Sequence, residues 1–195
     1  MIQGPRVTLR PFEASDIDDV IRWMTVDREF MNWDAPWEDE SDFDPEAYRA
    51  KTLAHLETIH PPVIYHRLEI ELNETGEHIG WVNRYHIDDQ YEYTQGDGHW
   101  TFGIDIPEID ARGRGYGTEA AALFIAYAIR HDQGPIFAQT WSGNHGSIAL
   151  LTKLGFELID VDPGYHEVRG ERVDGYTYRL NLKKFGETYH ATFLD

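Results

Sequence analysis

The sequence contains no cysteine, which excludes disulfides, iron–sulfur clusters and thiolate nucleophiles. Long apolar runs are missing as well. Nothing reaches the length of a transmembrane helix, and Met1 to Arg6 hold no stretch resembling a signal peptide. A cytoplasmic location is therefore expected. Basic residues are scarce: 17 Lys and Arg stand against 35 Asp and Glu, a formal net charge of −18. Self-repulsion of that size keeps a chain dissolved and turns away nucleic acid and anionic membrane, so neither is expected as a partner. There is no internal repeat or low-complexity tract, and no Gly-Lys-Ser/Thr triplet of a Walker loop.

The chain has ample material for a core. Of its 195 residues, 41% are hydrophobic and 13% aromatic, enough for one buried interior, and a single domain over residues 1–195 is expected. Arg6 to Arg10 alternates as a short strand. Ser15 followed by Asp18 reads as a capping-box-like helix start, with Ile17, Val20, Ile21 and Met24 on one face. Asp44-Pro45 reads as an N-cap with proline at the first helical position, opening a helix to about Ile59. Tyr65–Leu72 and His78–Ile87 form a predicted hairpin about the turn Asn73 to Glu77, and His99–Ile106 a further strand. A helix then carries Ala121, Phe124, Ile125, Ala128 and Ile129 on one face. Pro135–Thr140 follows as a strand, Ser147–Leu154 as a helix ending at Gly155, and a last hairpin lies around Tyr165–Val168 and Gly175–Leu182. The predicted order is β-α-α-β-β-β-α-β-α-β-β.

The chemically informative stretch is Ala111-Arg112-Gly113-Arg114-Gly115-Tyr116-Gly117-Thr118-Glu119. Alternating glycines between a strand and a helix permit unusual φ values and close approach of bare backbone to a ligand. The amides of Gly113, Arg114, Gly115, Tyr116, Gly117 and Thr118 would then converge at a free helix N-terminus. That is an anion cradle, to which Arg112 and Arg114 add mobile positive charge. The glycines run G-x-G-x-G, not the G-x-G-x-x-G of a dinucleotide fingerprint. Taken alone, such a run reads more readily as a flexible turn with a solvated arginine pair.

It does not stand alone. Arg112-x-x-Gly115-x-Gly117 resembles the Q/R-x-x-G-x-G/A pattern of GNAT acetyltransferases, and Asn144-His145-Gly146-Ser147-Ile148 through Gly155-Phe156 resembles their N-x-x-S-I-x-x-L-x-x-x-G-F motif. Gly76 to Val82 is similar to the central hairpin entry, and Gly115 to Ala120 to the RimJ/RimL-like branch, whose members acetylate protein N-termini among other amines. The resemblance implies an α+β, three-layer GNAT fold, with a mixed, mostly antiparallel sheet flanked by helices. It implies acetyl-coenzyme A as co-substrate, no metal, and an amine acceptor, small molecule or peptide. It further implies that the Gly113–Thr118 amides hold a pyrophosphate, that backbone at Ile104, Asp105 and Ile106 pairs with the pantetheine arm, and that Asn144 bonds that arm. Asn144 as a plain helix cap is compatible with that role.

The catalytic groups depart from the family pattern. Where many members carry a glutamate, the nearest match is Thr101; His99 and Asp105 share its strand face and are the candidate bases. A solvated or structural role is the alternative for each. The usual tyrosine donor is replaced by Leu151, leaving Ser147 as the closest candidate acid, with helix capping or cofactor binding as its other roles. Acceptor recognition is expected in Glu29–Glu46, where Trp33, Asp34 and Trp37 stand among further acids including Asp39 and Glu40. Acids beside aromatic faces suit a cationic amine, though a solvated acidic loop would have the same composition. Transfer of a bulkier acyl group such as succinyl, and a silent coenzyme-A sensor, are the competing functions.

Overall fold

The computed structural model describes residues 1–38, 42–131 and 134–193, the side chains of 190–193 excepted. The strands are β1 (Ile2–Gln3), β2 (Val7–Arg10), β3 (Arg67–Leu72), β4 (His78–Ile87), β5 (Tyr93–Thr94), β6 (His99–Asp105), β7 (Ile136–Trp141), β8 (Phe156–Val168) and β9 (Glu171–Leu180). They form one sheet in the order β1-β2-β3-β4-β6-β7-β9-β8, with β5 beside β4. The helices are α1 (Asp16–Thr25), α2 (Pro45–Thr58), α3 (Tyr116–Arg130), α4 (His145–Lys153) and α5 (Leu182–Phe193), with a 3-10 turn at Arg28–Asn32. The α+β architecture expected from the motifs is the one observed.

Helix α3 supplies most of the core. Ala120 through Ala126 are all buried, and Phe124 lies 5.4 Å from Trp100 and 6.3 Å from Phe102, ring centre to ring centre. Small residues let this helix lie close on the sheet, while Phe124 fills the space above β6.

The feature that makes the site is a parting of two neighbouring strands. Every pairing in the sheet is antiparallel except β6 with β7, whose parallel register covers only Trp100↔Ile136, Thr101↔Phe137 and Phe102↔Ala138. Beyond it, β6 stays paired with β4 as far as Trp81↔Asp105, and β7 with β9 as far as Trp141↔Gly175. Each strand is held by its outer neighbour while the inner edges diverge, which leaves Gly103–Asp105 with an open side. Gly80 supports this geometry, because a Cβ there would fall 2.1 Å from the Asp105 carbonyl oxygen. Only glycine permits β4 to run so close behind β6.

Several local expectations need correction. Ser15 makes no capping bond and already has helical dihedrals. The amides of Asp16 and Ile17 are taken by the Glu13 and Ala14 carbonyls, at 3.0 and 3.4 Å, while the Asp16 carboxylate accepts from the Glu13 amide at 2.8 Å and from Arg10. Asp44 does cap α2, accepting from the amides of Glu46 and Ala47 with Pro45 in the first turn. The final hairpin is longer than the reading allowed: β8 runs through Pro163-Gly164 by a register irregularity between Asp162 and His166. Helix α5 was not anticipated, nor were the two-residue strands β1 and β5.

Candidate active site

A cavity of about 870 Å³ opens where β6 and β7 part. Its walls come from Gly103–Ile106 of β6 and the following loop, Ala138–Thr140 of β7, the α3 entry, the α4 entry, and the segment Glu29–Asp34. Strand β4 forms the floor through Trp81, Asn83 and Tyr85, successive residues on one face of the strand.

One end is the glycine turn. Gly113 and Gly115 have φ of +71° and +86°, so the backbone enters α3 through conformations that favour glycine. Arg6 braces the turn from behind, donating to the Arg114 carbonyl at 2.9 Å and the Gly115 carbonyl at 3.3 Å. With those carbonyls occupied, the first-turn amides of α3 are the free polar groups at this end. A Cβ at Gly113 would meet nothing, and one at Gly117 would meet Ile106 Cδ1 at 2.9 Å. The space in front of the turn suits an anion approaching backbone.

Both signs of charge line the rest of the wall, with Arg112 and Lys153 beside Glu29, Asp34 and Asp105. Asp105 lies on the wall, and burial, reinforced by the charge of Asp34, holds its carboxyl well above the usual carboxylate range. The Trp81 side chain hydrogen-bonds it and opposes that shift. Tyr85 donates to Gln139 Oε1 at 3.2 Å, and burial, followed by the field of Asp34, raises its phenol. Glu29 is held below its usual value by the Trp33 indole, which donates at 2.6 Å, and by an ion pair with Arg112. The Glu29–Asp34 segment is also tied across the mouth, since the Trp33 carbonyl accepts from Trp141 Nε1 at 2.9 Å and Asn144 Nδ2 at 2.7 Å.

This arrangement can be compared with known proteins. A family model for the acetyltransferase (GNAT) domain matches residues 6–157, well over half of the chain. The chain belongs to the GNAT acetyltransferase family. No curated protein matches this sequence. Among solved structures, a GNAT-family acetyltransferase from Bacillus anthracis is similar with a TM-score of 0.69 at 18% identity, covering 93% of this chain and 98% of that one. The ribosomal-protein-S5-alanine acetyltransferase of Vibrio fischeri gives a TM-score of 0.67 at 17% identity, covering 91% and 93%. YncA of Salmonella typhimurium, a putative acetyltransferase solved with acetyl-CoA, gives 0.64 at 18% identity, covering 90% and 94%. At such identities the likeness is one of fold.

Within this GNAT domain the residues singled out from the sequence separate into two groups. Ile104, Asp105, Ile106, Arg112, Gly113, Gly115, Gly117, Thr118, Asn144, Ser147, Trp33 and Asp34 all line the cavity. His99 does not. It begins β6, on the far side of the parting, where Nε2 pairs with Asp89 at 2.9 Å and the ring packs on Phe137 at 4.9 Å. Sharing a strand face with Asp105 still leaves it six residues, roughly 20 Å, away. Trp37 is also absent from the wall; its ring stacks on His166 at 4.2 Å and meets Tyr165 edge-on at 5.6 Å, packing this segment onto the β8–β9 hairpin. Arg114 is exposed, and Tyr116 lies under the Arg6 guanidinium at 5.2 Å. Arg112, expected as mobile charge, is fixed by Glu29 and by donation to the Ile106 carbonyl at 2.7 Å. Asn144 caps α4 by accepting from the Ser147 amide at 3.0 Å while its amide group holds Trp33. Asp39 and Glu40 lie outside the described residues.

Sequence reasoning missed Trp81, Asn83, Tyr85 and Gln139. The first three repeat at every second residue of a predicted strand beside β6, and that alternation was the signal available. Gln139 offered none, because its position depends on how far β7 diverges.

Proposed function

We propose that the 195-residue chain is one acetyltransferase domain that moves acetyl from acetyl-coenzyme A directly to a primary amine, a small cation or a peptide N-terminus. The observation that carries this reading is the continuous wall from the α3 amides to the unpaired side of Gly103–Asp105, with Asp105 facing the same cavity. Acetyl-coenzyme A would supply the thioester: the amine nitrogen would bond to its carbonyl carbon, the C–S bond would break, and the departing thiolate would take a proton while the amine loses one. The Gly113–Thr118 turn suits its diphosphate, and the open edge of β6 offers extended backbone to its amide-bearing arm in the manner of an added strand.

The residues of the chain prepare the acceptor. A lysine-like amine with a pKa of about 10.4 costs roughly 4–5 kcal/mol to deprotonate at pH 7, whereas an α-amine near 7.7–8.0 costs about 1 kcal/mol. Asp105 is the base this site offers, because a carboxylate with a raised pKa accepts a proton more readily than an ordinary one. Trp81 orients it. The candidate proton donors on the wall are Ser147, in the first turn of α4, and the Tyr85 phenol.

Charge on the wall bears on the acceptor. Glu29, Asp34 and Asp105 suit a cationic amine, although Arg112 pairs with Glu29 and Lys153 lines the same cavity. The aromatic faces contribute less than their number suggests, because Arg67 already covers Trp81 at 4.2 Å and Arg169 approaches Trp33 at 6.0 Å. The test is thiol release from acetyl-coenzyme A with a panel of α-amines, lysine side chains, polyamines and aminoglycosides. Turnover of at least one amine is expected. Coenzyme-A binding without turnover of any of them would leave the sensor function instead.

A further inference from the structure

Away from the cavity, a second cluster of titratable groups lies between α1 and strands β2–β4. Arg10, Arg22 and Arg67 are ion-paired there with Asp16, Asp19, Asp27, Glu69, Glu71 and Glu108, so three guanidinium groups meet six carboxylates. Arg10, Asp16 and Glu69 are its buried members, and there an excess of carboxylate is costly. His78 sits in its centre, 5% exposed. Its Nε2 lies 2.9 Å from Glu69 Oε2, which is itself fully buried. Its Nδ1 has no hydrogen-bond partner and is aimed between Asp19 Oδ2 at 3.3 Å and Asp16 Oδ1 at 3.5 Å.

We propose that Asp16, Asp19 and His78 form a structural binding site for a divalent cation of the zinc class, a site that the family resemblance does not imply. Ligand atoms about 2.0–2.2 Å from a tetrahedral ion stand roughly 3.4 Å apart, and Nδ1 has both carboxylate oxygens at that spacing. One imidazole nitrogen with two carboxylate oxygens suits zinc and its neighbours better than calcium or magnesium, which favour oxygen alone. The surrounding groups are those of a metal's outer shell. Glu69 holds the far nitrogen of His78, so Nδ1 is the one presented, and Arg10 together with the Glu13 amide fixes the Asp16 carboxylate. Trp23 closes one side, its ring 4.7 Å from His78, while Asp19 is one-third exposed and gives an entry path. The ion would tie α1 to the sheet and stands apart from the acyl-transfer cavity, whose wall includes none of its three ligands.

The test is calorimetric titration of Zn²⁺ into chelator-treated, tag-free full-length protein, with Co²⁺ absorption spectra in parallel. Expected are one saturable site, a higher Tm with Zn²⁺, and visible d–d bands with Co²⁺. Affinity should fall by at least about tenfold in Glu69→Gln and further in His78→Gln and Asp19→Asn. Asp19→Asn removes only a partly exposed ligand, so it reports even if the buried variants fail to fold. Three results would overturn the proposal: no saturable heat with the wild type, binding that Asp19→Asn leaves unchanged, or a His78 Nδ1 proton in NMR spectra that Zn²⁺ does not displace. None of them touches coenzyme-A binding.

Discussion

Arg6 and Glu119 are clasped through main chain and side chain together. The Arg6 amide donates to Glu119 Oε1 at 2.7 Å, its Nε donates to Oε2 at 2.8 Å, and the Val7 amide adds a bond of 3.1 Å to Oε1. The buried carboxylate in the first turn of α3 therefore satisfies the start of β2. The guanidinium it orients reaches on to the carbonyls of Arg114 and Gly115. Arg6, between β1 and β2, thus holds the back of the glycine turn.

Arg6→Ala should therefore weaken coenzyme-A binding and lower stability, since it leaves the buried Glu119 carboxylate with main-chain donors alone. Glu119→Gln should do both. It retains one acceptor oxygen but places an NH₂ against amide donors, and should cost about 1–3 kcal/mol by urea unfolding.

Asp105→Asn should lower kcat/KM by at least about 100-fold for a lysine-like acceptor at neutral pH. The loss should shrink as pH rises toward the pKa of the amine, because the substrate then deprotonates unaided. Steady-state rates over pH measure both.

The same substitution should raise stability, with a definite pH dependence. Because the folded pKa of Asp105 lies above its unfolded one, the native state binds more protons between the two values, and stability falls as pH rises through that window. Asp105→Asn removes this loss. Its Tm should exceed that of the wild type above the window and match it below the ordinary carboxylate range.

Glycine positions separate backbone demand from mere space. Gly115→Ala meets both a φ of +86° and Arg6 Nη2 at 3.2 Å, and should cost roughly 1–2 kcal/mol and weaken the ligand. Gly80→Ala is worse, because the atom it meets at 2.1 Å is a main-chain oxygen that cannot rotate away. Its effect should appear as a large loss of soluble, folded protein.

These residues also show how far the sequence was readable. Local rules worked where local physics decides: Asp44-Pro45 begins α2, and the glycine turn begins α3. Ser15 failed because the chain is already helical there and the Glu13 and Ala14 carbonyls accept from the Asp16 and Ile17 amides. The glycine turn was legible because its residues are consecutive; the wall facing it was not. Trp33 lines the mouth only because Trp141 and Asn144 hold its carbonyl, and Trp37 is turned aside by the long β8–β9 hairpin. His99 and Asp105 look equivalent along a strand, and what separates them is the end of the β6–β7 pairing at Phe102↔Ala138.

Titration of coenzyme A into the wild type and Gly115→Glu, followed by calorimetry, tests the account most directly. The wild type should bind one equivalent saturably, and Gly115→Glu, which strains the φ of +86° and draws the Arg6 guanidinium off the Arg114 and Gly115 carbonyls, should abolish the heat while circular dichroism stays native. No heat with the wild type, or equal affinity in a folded Gly115→Glu, would contradict it.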